Sequence, residues 1–131
     1  MTHPEYWHQS KKFLSNADPR LARLFLDHPD YCIASRGEAL ETLLRSIVGQ
    51  QISVQAAASV WGKLENKIGK INPQNVLALS FEDLKSCGLS KQKTQYIINI
   101  CNHFISFSIN SHSYWEDKSY KHIYDELIAI K

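Results

Sequence analysis

Short polar side chains stand immediately before stretches of helically spaced apolar residues, and this series of helix starts constrains the fold more than any other property of the chain. An oxygen on such a side chain accepts a hydrogen bond from a backbone N–H that the first helical turn leaves without a partner. Asp18-Pro19 and Asn72-Pro73 each add a proline at the first helical position, where its missing donor costs nothing. Ser80 is followed by Asp83, a near capping box, and Gly88 then ends the short helix. Ser53, Ser90 and Asp117 read as further caps.

Between these starts the apolar spacing is helical. Leu40, Leu43, Leu44, Ile47 and Val48 make one stripe, Val54, Ala57, Ala58, Trp61, Leu64 and Ile68 the next, and Ile97, Ile100, Cys101, Phe104 and Ile105 a third. The spacing predicts helices over 4–14, 19–27, 37–50, 54–67, 73–79, 81–87, 91–107 and 118–130. No Asn-Gly or Asp-Gly hairpin signal occurs, and only 31–34 and 104–109 could read as extended. The predicted fold class is therefore all-α. At 131 residues, 44% hydrophobic, with five glycines and four prolines, the chain fits a single helical domain over 1–131. The polar stretch 106–116 reads as a mobile loop.

Most chemistry that could be sought is not there. Gly62 to Ile71 has glycines and lysines, but no Ser or Thr follows the lysine as a phosphate loop requires. It reads as a helix end with lysines at the C-terminal dipole and Gly69 as its cap. His3, His8, His28, His103, His112 and His122 fall in no metal-binding frame, so no metal and no cofactor are expected. Cys32, Cys87 and Cys101 are widely spaced, which fits free thiols in a reducing cytoplasm, with Cys101 a buried hydrophobe on its stripe. Glu38 and Glu41 read as solvated surface. No apolar run approaches the roughly 20 residues that span a bilayer, so no membrane partner is expected. A net charge of +2 permits nucleic-acid binding without requiring it.

One stretch stands apart. An amphipathic helix ending in Ser46-Ile47-Val48 runs into Gly49-Gln50-Gln51-Ile52, and Ser53 at once caps another. Adjacent amides there can pair with base edges, and the start of the second helix can face a phosphate. An ordinary capped corner between helices accounts for the same residues.

The run from Leu43 through Gly49-Gln50-Gln51-Ile52-Ser53 to Ala58 strongly resembles the helix-turn-helix that opens the catalytic core of the 3-methyladenine DNA glycosylase II family, within the helix-hairpin-helix glycosylase superfamily. Ala17 to Leu24 resembles that family's lead-in helix, and Gly88-Leu89-Ser90-Lys91-Gln92-Lys93-Thr94-Gln95-Tyr96-Ile97 resembles its Gly-Leu-Ser-x-x-Lys-x-x-Tyr-Ile signature. The resemblance runs from about residue 17 to the last. It implies base excision repair: duplex DNA is bent, an alkylated purine is flipped into a pocket, and its N-glycosidic bond is cut without metal or cofactor. By matching position it gives Gln50, Gln51 and Ile52 the role of filling the gap left by the flipped base, with Ser53 capping the helix beneath. The implied partner is double-stranded DNA.

The family pattern continues with a hairpin, Gly-x-Gly-x-Trp-Thr-Ala, and a later aspartate that stabilises positive charge on the sugar. The sequence stops at Leu127-Ile128-Ala129-Ile130-Lys131, and Asp18, Asp27, Asp30, Asp83, Asp117 and Asp125 lack the matching context, so no catalytic residue is carried over. The expectation is a truncated, glycosylase-like chain, inactive alone, with uncovered apolar surface on helices 37–50 and 91–107. Such surface favours self-association, with exchanged helices, or pairing with a complementing C-terminal half. The alternatives are a non-catalytic helical module that binds DNA or protein, with lysines such as Lys63, Lys67, Lys70, Lys91 and Lys93 supplying mere charge, and the remnant of a decayed gene.

Overall fold

Five of the expected caps close the helices they precede. Asp18 accepts from the Arg20 N–H at 2.9 Å, Ser53 from Ala56 at 3.1 Å, Asn72 from Asn75 at 2.7 Å and Ser90 from Lys93 at 3.1 Å. At Ser80 the capping box is complete, because the Asp83 carboxylate also accepts from the Ser80 N–H at 3.2 Å. The computed structural model describes residues 3–35 and 37–130. The helices are α1 (Trp7–Ala17), α2 (Pro19–Asp27), α3 (Ala39–Val48), α4 (Val54–Ile68), α5 (Pro73–Leu77), α6 (Phe81–Lys85), α7 (Lys91–Ser106), α8 (Ser113–Glu116) and α9 (Tyr120–Ile128). No strand occurs among the described residues, and the fold is all-α.

The departures from the expected elements have local causes. The first helix starts at Trp7 rather than residue 4, since the Pro4 carbonyl accepts from the Trp7 N–H in a preceding turn. Asp117 is not the N-cap of the last helix: it sits at φ −88° and ψ 1° at the C-terminal end of α8, while Ser119 has the extended backbone an N-cap needs and accepts from His122. The stretch 106–116, expected as a loop, contains α8, whose Tyr114 and Trp115 pack on the core. Residues 104–109 are not extended, because α7 continues to Ser106 and the Ile109 N–H then returns to the Phe104 carbonyl.

The chain forms two compact units that divide at Gly37, inside the span read as one domain. In the first, α1 packs on α2, with buried Trp7 edge-on to Phe25 and the Lys11 ammonium over the same ring. In the second, α7 is the central helix, packed against α3, α5 and α6, with α4 against α3. Leu44, Val48, Leu64, Val76 and Leu84 are fully buried around it, as are Ile97 and Cys101 of α7 itself. Thr94, a buried polar residue of the core, satisfies its hydroxyl on the Ser90 carbonyl. Burial pushes the Cys101 thiol up to about 12, which makes it a core hydrophobe and no nucleophile.

Candidate nucleic-acid interface

The turn between α3 and α4 brings Gln50, Gln51, Ile52 and Ser53 together on the surface. At Gly49 a Cβ would stand 3.3 Å from the Arg45 carbonyl of the preceding turn, while its contact across to the Ala57 Cβ of α4 would be an ordinary 4.0 Å. The Gln50 N–H returns to the Ile47 carbonyl, and Gln51 then takes φ +57°, the left-handed region. A non-glycine residue there costs about 1 kcal/mol, so the surrounding contacts must hold it. Ile52 is 41% exposed and Val54, the next apolar side chain, 89% exposed. The tip is thus an apolar and amide-bearing knob, with the Ser53-capped N-terminus of a 15-residue helix immediately behind it.

Arg45 ties the two helices together, and Lys93 holds the turn. Arg45 on α3 pairs with Glu41, reaches Glu65 on α4, and lies over the Trp61 ring with its guanidinium carbon 4.5 Å from the centroid. From α7, the Lys93 Nζ donates to the Val48 carbonyl at 2.9 Å and to the Gln50 carbonyl at 2.6 Å. The lysines read together as mere charge therefore separate. Lys93 is tied into the turn, and Lys67 donates to the Ser86 hydroxyl and the Asp83 carbonyl. Lys63, Lys70 and Lys91 are exposed. The sequence placed Lys93 in a signature and among the lysines of mere charge, not as a brace of the turn; its position in the first turn of α7, where a cation opposes the helix dipole, was the available signal.

A second polar group lies away from the turn. Glu126 on α9 accepts from Tyr114 at 2.7 Å and Lys118 at 2.9 Å, with the His103 Nε2 of α7 2.9 Å away. Burial pushes its carboxyl upward, but the hydrogen bonds from His103, Lys118 and Tyr114 and the Lys118 charge outweigh it and bring the group down to about 2. The cluster borders an open cavity of about 770 Å³ with Phe107, Lys121 and His122 on its wall. Its bonds to one carboxylate join α7, α8 and α9. Among the described residues no set of three His, Cys, Asp or Glu is placed to hold a metal ion, and no helix is long and apolar enough to cross a membrane.

Residues 44–130, which contain the turn, its braces and the central helix, match the HhH-GPD superfamily of base excision DNA repair proteins. The chain belongs to that superfamily. Its HhH-GPD fold is shared with the DNA-3-methyladenine glycosidase of Bacillus halodurans, at 30% identity and a TM-score of 0.69 over 76% of this chain. It is also shared with the 3-methyladenine DNA glycosylase of Schizosaccharomyces pombe, whose structure is a complex with abasic DNA, at 24% identity and a TM-score of 0.82 over 94% of this chain. The HhH-GPD chain spans 46% and 63% of the lengths of these two proteins. No curated protein sequence matches it.

Proposed function

We propose that this chain engages duplex DNA at damaged or abasic positions through Gln50, Gln51, Ile52 and Ser53, and serves the base excision repair of alkylated purines. The observation that carries this reading is the exposed knob itself: a left-handed Gln51 and a half-exposed Ile52, with the preceding Gln50 carbonyl held by Lys93, in a member of a base excision repair superfamily. The minor groove offers acceptors at base edges that glutamine amides can meet, and an apolar side chain can fill the space of an extruded base. The capped start of α4 can face a phosphate. Cleavage of the glycosidic bond needs a carboxylate beside the sugar. Asp18 and Asp83 serve as caps, Asp27, Glu41 and Asp125 pair along their helices, and Glu126 is saturated by donors. The contribution assigned here is DNA engagement in a reducing, cytoplasmic setting, where the exposed Cys32 stays a free thiol.

The test compares affinity for an intact duplex with that for the same duplex carrying an abasic site, by fluorescence anisotropy at fixed salt. The expected result is tighter binding to the abasic duplex, reduced about tenfold by Gln51→Ala combined with Ile52→Ala, a loss of about 1.4 kcal/mol. Equal affinity for both duplexes, unchanged in the double variant, overturns it. On methylated DNA the chain by itself is expected to release no 3-methyladenine above a protein-free control.

A second reading rests on a cleft of about 340 Å³ between α3, α7 and α9, walled by Leu43, Ile47, Tyr96, Ile100, Leu127 and Ile130. This apolar wall suits a protein partner, either a second copy of the chain or a complementing helical segment. A monodisperse monomer in sedimentation at tens of micromolar counts against self-association.

A further inference from the structure

We propose that Lys93 is the positioning residue of the DNA-engaging turn: it fixes the peptide plane between Gln50 and Gln51 and so presents Gln51 and Ile52 outward. This rests on the reading of the turn given above and names the residue that shapes it.

The geometry is specific. An ammonium has three donors and no acceptor, and the Lys93 Nζ spends two of them on the carbonyls of Val48 and Gln50, on either side of Gly49. Those carbonyls converge on one point, an arrangement that a cation between them relieves. The Gln50 carbonyl belongs to the same planar trans unit as the Gln51 N–H, so pinning the oxygen toward Lys93 turns that N–H the opposite way. The next torsion is the Gln51 φ of +57°. Lys93 thereby acts on the strained angle directly, through one peptide plane.

Charge supports the assignment. Val48 is the last residue of α3, where the helix dipole is negative and a cation is favourable. Lys93 itself lies in the first turn of α7, where its charge opposes its own helix. No carboxylate pairs with Lys93 among the described residues. Its position therefore favours α3 and the turn at the expense of α7.

The test uses the full chain with Lys93→Met, which keeps the stem and removes the donors, and Lys93→Gln, which keeps a shorter, uncharged amide donor. Amide hydrogen exchange at Gln50 to Ser53 and binding to intact and abasic duplexes are measured. Exchange in the turn is expected to accelerate at least tenfold in Lys93→Met and less in Lys93→Gln, with core amides of α7 unchanged. The preference for the abasic duplex is expected to fall about tenfold, with a far smaller effect on the intact duplex. Equal loss on both duplexes, with the salt slope reduced by about one, marks Lys93 as a phosphate contact and overturns the proposal. Unchanged turn exchange in a folded variant overturns it too. If Lys93→Met does not fold, Lys93→Gln decides by the same readouts. If the Gln51 and Ile52 variants leave DNA binding untouched, the functional reading fails, and hydrogen exchange still decides what Lys93 does to the turn.

Discussion

At the scale of single residues, the tightest backbone constraint outside the α3–α4 turn is Gly88. It sits at φ +106°, and a Cβ there would meet the Val60 Cγ2 at 3.1 Å. Gly88→Ala combines left-handed strain with an approach that Val60 must relieve, and is expected to destabilise by about 1–2 kcal/mol, measured by urea unfolding. The cysteines divide just as sharply. Cys32 is exposed while Cys87 and Cys101 are buried, and Cys101 is held near 12. A thiol reagent at neutral pH is expected to label Cys32 at once and the other two only on unfolding. The burial of Cys101 was readable from its place in the stripe of Ile97, Ile100 and Phe104. The bond from Lys93 to Gln50 was not, since no local pattern links residues so far apart in sequence.

At the scale of elements, legibility followed the range of the interactions. Caps act within one turn, so Asp18, Ser53, Asn72, Ser80 and Ser90 were correctly placed from the residues alone. Ser80→Ala removes one arm of the capping box and is expected to cost about 1 kcal/mol, by the same unfolding measurement. The end of the chain followed different rules. α8 has only four residues and depends on Tyr114 and Trp115 meeting the core, and α9 is fastened by Glu126 to partners on α7 and beyond. Asp117 carried a plausible capping side chain, but the backbone extended at Ser119 instead. Removing the Glu126 charge tests this fastening. Glu126→Gln is expected to raise hydrogen exchange throughout α9 while leaving α4 and α7 unchanged.

At the scale of the whole molecule, stability depends on the core around α7 and, under acid, on that same carboxylate. The Glu126 carboxyl is ordinarily near 4.5 and is held down to about 2 in the folded state. A group depressed in this way stabilises fully above its ordinary range, and its contribution is lost as pH falls from about 4.5 toward 2. The melting temperature is expected to drop across that window in the parent chain and to drop less in Glu126→Gln. The all-α fold and most of each stripe were legible because burial repeats with the helix period, although Val54, Ala58 and Ile105 of the predicted stripes are exposed; the shape of the α3–α4 turn was not, because Lys93 supplies it from a separate helix. That separation bears on any attempt to borrow this turn. A peptide or graft carrying Leu43 to Ala58 alone would keep every letter of the motif and lose its form, since the hand that holds Gln51 open belongs to a helix left behind.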